Sequence, residues 1–243
     1  MSVSVNAADP RPLYAQVRET LLERIKNGHW RPGQIIPNEF DIAAEFNVSQ
    51  GTARKAIDTL ATDGLVIRRQ GKGTYVVEHT PADIMFRFFQ LYSDDGRPIK
   101  PQAPHGGRPS RGSATTDEAK ALDLDPDTAV IRIERVRFNG ATPLVHETIV
   151  LPEAHYPGLA DQPTVPNTLY DLFQRQYGRM VVRAEERLLP VLASGSIARA
   201  LAVAEDTPLL RIDRVAYGLD DQRLEWRVSL CHLDGGHYFV RLK

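Results

Sequence analysis

The sequence predicts a two-part α+β protein: a small helical domain closed by a β-hairpin, then an antiparallel sheet with helices, built by internal duplication. Three observations carry that prediction. Apolar residues recur at helical spacing between Val17 and Leu60, with a capping residue or a proline before each run. Two short β-like runs, Leu65 to Gln70 and Thr74 to Val77, flank the basic glycine tip Gly71-Lys72-Gly73. A stretch of 24 residues that begins at Thr115 recurs 79 positions later with nine identities.

Pro12-Leu13 opens the first helix, in which Val17, Leu21 and Ile25 recur at i, i+4 with Leu22 beside them, and Gly28 closes it. Asn38 is the predicted N-cap of a second helix with Ile42, Ala43 and Phe46 facing inward. After the turn at Asn47-Val48, Ser49 caps a third helix with Ala53, Ile57 and Leu60 inside, ended by Asp63-Gly64. Two helices across a tight turn followed by a hairpin make a winged helix-turn-helix.

The chemistry of that domain fits DNA. The third helix begins with the small polar set Ser49, Gln50, Gly51 and Thr52, and carries Arg54 and Lys55 one turn on. The N-terminal residues of a recognition helix reach base edges in the major groove, and short side chains let it approach closely. Arg68, Arg69 and Lys72 flank the wing, placed to neutralise phosphates or enter the minor groove. Residues 49–75 hold five Lys or Arg against two acids, Asp58 and Asp63. Ordinary solvated charges, or a winged helix that contacts protein, are the alternatives.

These residues resemble the DNA-binding domain of the GntR family of bacterial transcription regulators. The resemblance runs over 12–77 and rests on the G-x-W-x-P-G loop, the V-S-x-x-T-x-R-x-A helix and the R-R-x-G-x-G-T wing. It implies that Asn38, Ser49, Gln50, Gly51, Thr52, Arg54, Lys55, Arg68, Arg69, Gly71, Lys72 and Gly73 form the DNA-binding set. Phe40 and Gln50 depart from the family pattern, which has a basic or polar residue and an arginine there, used on operator guanines and phosphates. Gln50 suits adenine, with which glutamine pairs bidentately.

The remaining chain is of another kind. Residues 79–83 read as a linker, and a β-like run from Ile84 to Tyr92 opens the second domain. Residues 94–113, rich in Gly, Pro and Arg, read as a mobile or poorly packed loop. TTDEAKALDLDPDTAVIRIERVRF (115–138) then aligns without gaps on SGSIARALAVAEDTPLLRIDRVAY (194–217), with nine identities that include Asp127/Asp206, Arg132/Arg211 and Arg135/Arg214. Each copy reads as a capped helix, an Asp-Thr turn, a strand and a returning strand, Leu144 to Leu151 and Leu224 to Leu233. Thr115 with Glu118 caps the first helix, and Ser194 or Ser196 the second. Two such units pair into one mostly antiparallel sheet with helices on a face.

Period-2 alternation sets Arg135 and Arg137 on the face of Ile131 and Ile133, and Glu147 on the face of Val145 and Ile149. Glu225, Arg227 and Ser229 share a face opposite Leu224, Trp226 and Val228. Charges on apolar faces are costly unless paired. Either the arginines bridge Glu147 or turn to solvent at a bulge near Glu134, or they form a site for an anion.

Residues 84–243 resemble the UTRA effector-binding domain of the HutC subfamily, through RIERVRF, the H-E-T-x-V-L-P run, NTLYDLFQRQYG, TPLLRIDRVAY and the Leu-Glu of RLEWR. The resemblance implies a chorismate-lyase-like fold used for binding without turnover. It implies an effector-binding set in which Arg135, Arg137 and Thr168 hold a phosphate and Glu147, Tyr170 and Glu225 meet the rest of the ligand. The partners it implies are double-stranded operator DNA, a small anionic metabolite (a sugar phosphate or a carboxylated catabolite) and a second copy of the chain in a homodimer.

Other classes are excluded on composition. The chain has 243 residues, enough for two domains of about 100–150 residues each. With 42% apolar and 25% charged residues it is globular, and its net charge of -1 is neutral as to nucleic acid. No apolar run approaches the ~20 residues of a membrane span. The opening MSVSVNAADP lacks a secretory pattern, and the single Cys231 excludes an intramolecular disulfide, so a reducing cytoplasm is expected. His146, His155, His232 and His237 lack metal-ligand spacing, and no nucleophile elbow, P-loop or dinucleotide fingerprint occurs. The expectation is a transcription regulator, a repressor, with no catalytic residues, metal or cofactor. The alternatives are an activator of the same type or an enzyme related to chorismate lyase.

Overall fold

The computed structural model describes residues 9–77, 90–219 and 221–241. Contacts divide the chain into two compact units, Met1–His79 and Thr80–Lys243. The expected linker at 79–83 and the first part of the run 84–92 lie outside the described residues.

In the first unit α1 (Leu13–Lys26), α2 (Glu39–Phe46) and α3 (Gln50–Thr62) pack through Val17, Leu21, Ile42, Phe46, Ala53, Ile57 and Leu60, all 0–1% exposed. Full burial of a large apolar side chain contributes about 1.5–3 kcal/mol. Asn38 Oδ1 accepts from the Phe40 and Asp41 amides, and Ser49 Oγ accepts from the Thr52 amide, so both helices start where the capping residues stand. Asn47, at φ 53, makes the tight turn between α2 and α3. The wing pairs β2 (Val66–Arg69) with β3 (Gly73–Val76), and β1 (Ile35–Ile36) adds to β3. Two residues are too few for a period-2 signal, which is why β1 is invisible in the sequence.

The second unit holds a six-stranded antiparallel sheet in the order β5 (Pro109–Ser113), β6 (Ala129–Asn139), β7 (Thr142–Pro152), β10 (Arg223–Cys231), β9 (Pro208–Tyr217), β8 (Arg183–Leu192). A separate pair joins β4 (Leu91–Ser93) to β11 (Gly236–Tyr238). The remaining helices are α4 (Thr116–Leu122), α5 (Leu169–Tyr177) and α6 (Gly195–Leu201).

The duplication is legible in the geometry. The hairpins β6–β7 and β9–β10 meet at the β7–β10 ladder in the middle of the sheet. The aligned positions Asp123 and Ala202 are both left-handed, at φ 56 and 55, as are Asp127 and Asp206, at φ 64 and 62. Helix α4 packs on β10 and α6 on β7, so each copy's helix covers the other copy's returning strand. Thr115 and Glu118 form the expected capping box. The second copy departs: Ser194 makes no side-chain cap, and Glu205 accepts from the Gly195 amide at 2.9 Å instead.

The reading of 94–113 as loosely packed is corrected by the structure. Its last residues form edge strand β5, in register from Pro109↔Ile133 to Ser113↔Ala129. The glycines serve close approach rather than mobility: a Cβ on Gly107 would lie 2.5 Å from Ile133 Cγ2 and 3.0 Å from the Glu134 carbonyl. Gly107 O also accepts from the Val165 amide at 3.1 Å.

Candidate functional site

Two side-chain constellations stand out, one in each unit. In the first, the start of α3 and the wing are linked through α2. Glu39 Oε1 lies 3.1 Å from Arg68 Nη2 and 3.9 Å from Arg54 Nε, and Arg68 Nη1 reaches Asp58 Oδ1 at 2.7 Å. Arg68 is thus held on acids of α2 and α3, while the Arg54 side chain remains 60% exposed. Lys55 Nζ sits 4.0 Å from the centroid of the Tyr14 ring, and Arg69 stacks 4.8 Å from that of Tyr75. Lys72 is exposed at the tip between Gly71 (φ 69) and Gly73 (φ 107), where Tyr75 Oη donates to its carbonyl. Gly51 is exposed with nothing closer to a would-be Cβ than Ser49 Oγ at 3.8 Å, and Gln50 and Thr52 are half-buried beside it. Two of the expected contacts are committed internally. Asn38 spends its oxygen on the cap and its amide on Asp41 Oδ2 at 2.7 Å, and Ser49 Oγ lies 2.9 Å from Thr52 Oγ1.

In the second unit, strand parity places Arg135, Arg137, Glu147, Arg227 and Glu225 on one face, all 0–5% exposed. Arg135 Nε donates to Glu147 Oε2 at 2.7 Å and Arg227 Nη1 to Glu147 Oε1 at 3.1 Å, while Arg137 Nη1 lies 3.5 Å from the same oxygen. Arg227 also holds Glu225 through Nε at 3.0 Å and Nη2 at 2.7 Å, and Tyr170 Oη donates to Glu225 Oε1 at 2.8 Å. Two arginines reach the segment leading into α5: Arg135 Nη1 donates to Pro166 O at 3.1 Å and Arg137 Nη2 to Asn167 Oδ1 at 2.9 Å. Thr168, the N-cap of α5, is half-buried there and makes no side-chain cap. Arg135 Nη2 is buried with no hydrogen-bond partner. Of the two readings of strand parity, the bridges to Glu147 are present. The sheet has no bulge at Glu134; the register shifts at Arg137/Phe138.

The electrostatics follow from three guanidinium groups around two carboxylates. Burial alone would raise the Glu147 carboxyl, but Arg227, Arg135 and Arg137 hold it well below its ordinary range. Burial pulls Arg137 down to about 10, with Arg135 and Arg227 adding to the shift against Glu147. Burial and the Glu225 carboxylate push the Tyr170 hydroxyl up, so it stays a neutral donor. The cluster keeps one positive charge in excess where water is excluded, an arrangement suited to receiving an anion.

Sequence reasoning did not select Arg227, Asn167 or Arg214 as site residues. Arg227 was visible by parity on the face of Glu225. Arg214, buried against Glu186 with Nε at 2.6 Å, is the duplicate of Arg135, and that identity was the available signal. Asn167 carried none, because a loop has no period.

The family model described as Bacterial regulatory proteins, gntR family, matches residues 13–76, and that of the UTRA domain matches residues 109–235. The chain belongs to the GntR family, in its UTRA-bearing HutC branch. This GntR regulator is 32% identical, over 92% of its length and 90% of the relative's, to the HTH-type transcriptional repressor PhnF of Mycolicibacterium smegmatis. It is 26% identical, over 92% of its length and 93% of the relative's, to the mannosyl-D-glycerate transport/metabolism system repressor MngR of Escherichia coli (strain K12). The ligand-binding domain of a protein assigned to the GntR-family regulators of Bordetella bronchiseptica superposes with a TM-score of 0.58 at 32% identity, covering 65% of this chain and 98% of that one. The protein is a DNA-binding transcription regulator with an effector domain, not an enzyme. Its partners are operator DNA and a small molecule. Among the described residues no helix is long and apolar enough to cross a membrane.

Proposed function

We propose that this GntR regulator is a homodimeric, cytoplasmic repressor whose release from its operator is controlled by a small anion bound at Arg135 and Arg137. The observation that carries the effector reading is the excess positive charge of the buried cluster, with a donor of Arg135 left over. A phosphate or carboxylate taken there accepts from Arg135 Nη2 and competes with Pro166 O and Asn167 for the two guanidinium groups. Thr168, at the start of α5, adds a hydroxyl and the amide end of a helix. Tyr170, Glu147 and Glu225 meet the polar remainder of the ligand. A sugar phosphate and a carboxylated catabolite both satisfy this chemistry.

On the DNA side the set comprises Gln50, Gly51, Thr52, Arg54 and Lys55 in the major groove. Arg68, Arg69, Gly71, Lys72 and Gly73 form the wing, and Asn38 and Ser49 fix the helix starts. A dimer sets two recognition helices at the spacing of a near-palindromic operator. An anion that lowers operator affinity is by linkage bound more weakly by the operator complex, by the same factor, typically about 1–3 kcal/mol.

The test is a thermal-shift screen of the full chain against separate panels of sugar phosphates and carboxylated catabolites. A ligand at 100 times its dissociation constant adds about 2.7 kcal/mol. Arg135→Lys keeps a charge beside Glu147 but loses the planar fork that holds Nη2 in place. It should leave the melting of the free protein near wild type and abolish the ligand shift. Silence in both panels, or an unchanged shift in Arg135→Lys, would sink the anionic reading.

A further inference from the structure

Phe40 is the most exposed large apolar side chain among the described residues, at 67%. It stands in the first turn of α2, about 200° round the helix from Ile42, which with Phe46 faces the core, so Phe40 is turned away from that core. Its backbone is fixed, since the Phe40 amide donates to Asn38 Oδ1 at 2.9 Å. The neighbouring Glu39 touches both Arg68 of the wing and Arg54 of α3, so the ring rises beside the side chains that face DNA. Between Glu39 and Asp41 and next to the pairs that Glu39 makes with Arg68 and Arg54, the ring is placed to meet an apolar group of whatever docks on that surface.

We propose that Phe40 is a specificity determinant that packs on the C5-methyl of a thymine in each operator half-site. The inference rests on the DNA-binding reading of this surface. Duplex DNA presents one apolar group on its major-groove base edges, the thymine methyl. Hydroxyl-bearing and cationic side chains find phosphates and acceptor atoms in quantity, whereas an aromatic ring gains from base edges only at that methyl. Gln50, at the first position of α3, pairs bidentately with adenine through N6 and N7. The two residues together select A·T pairs at positions where an arginine pair would select guanine.

The experiment begins with selection of tight-binding duplexes from a random pool by the full chain. Each thymine of the selected duplex is then replaced in turn by deoxyuridine, which keeps every hydrogen-bonding group and removes only the methyl. One replacement per half-site should weaken binding about three- to tenfold, the scale of one buried methyl group. Phe40→Ala should bind the thymine and deoxyuridine duplexes equally, and, since the ring is exposed, should melt like the wild type. Deoxyuridine tolerated at every position, or penalised equally in Phe40→Ala, would overturn the assignment and show the ring resting on the sugar–phosphate backbone or on another protein. Failure to enrich any duplex would refute the DNA-binding reading itself, and the assignment with it.

Discussion

Arg54 of the first unit and Arg135 of the second stand in opposite settings. In the first, Arg54 projects with 60% of its side chain in water and a single carboxylate 3.9 Å away. In the second, Arg135 has no exposed side-chain surface and lies 2.7 Å from a fully buried Glu147. An exposed pair is screened and contributes little, about 0–1 kcal/mol, so its loss is felt mainly in binding. A buried pair with hydrogen bonds is expensive to break, because the remaining charge has nowhere to go. The same residue type is therefore open to an outside partner at Arg54 and part of the framework at Arg135.

The sharpest way to break this comparison is Glu147→Ala. It leaves Arg135 and Arg137 without a carboxylate and takes one of two from Arg227, and should cost about 3–5 kcal/mol, abolishing cooperative urea unfolding of the second unit. A loss below 1 kcal/mol would mean that water reaches the cluster. Acid gives a second handle. Because the folded carboxyl of Glu147 lies below its ordinary value of 4.5, its pairing stabilises fully above that pH and is lost as pH falls beneath it. The urea midpoint of the second unit should decline on acidification through that range, and less steeply in Glu147→Gln. Equal slopes would remove Glu147 from the acid response.

Gly107→Ala probes the packed strap against β6: a Cβ 2.5 Å from Ile133 Cγ2 overpacks the core, at about 1–3 kcal/mol in thermal unfolding. A neutral result would restore the reading of 94–113 as loose. On the exposed side, Arg54→Ala should weaken operator binding by about 1–3 kcal/mol while leaving the unfolding of both units and the effector-induced thermal shift unchanged. The smallest effect expected is that of Lys72→Ala, which should lower affinity uniformly across sequences and reduce the salt slope by about one. Sequence-dependent loss in Lys72→Ala would move the wing from phosphate to base contact.

Local chemistry was readable from the residues alone. Asn38, Ser49 and Thr115 announced their helices because a cap depends on two or three neighbouring amides. Strand parity put Arg135, Arg137 and Glu147 on the apolar face because a strand has no other period. The repeat foretold both hairpins and the Asp-Thr turn before each, at which the structure makes Asp127 and Asp206 left-handed. What stayed hidden involved residues far apart in sequence. Glycines 106 and 107 look like flexibility until Ile133 and Val165 are beside them. Arg227 becomes a partner of Glu147 only when β10 lies against β7.

By itself, then, the sequence determined two kinds of folding unit, a DNA-binding surface and a charged face on a duplicated sheet, since caps, periods and motifs are properties of contiguous residues. Only the tertiary structure decided that three arginines share two carboxylates in a space closed to water. That outcome depends on ladder register and on long-range burial, and the cost of an unpaired charge is set by its surroundings, not by its neighbours along the chain.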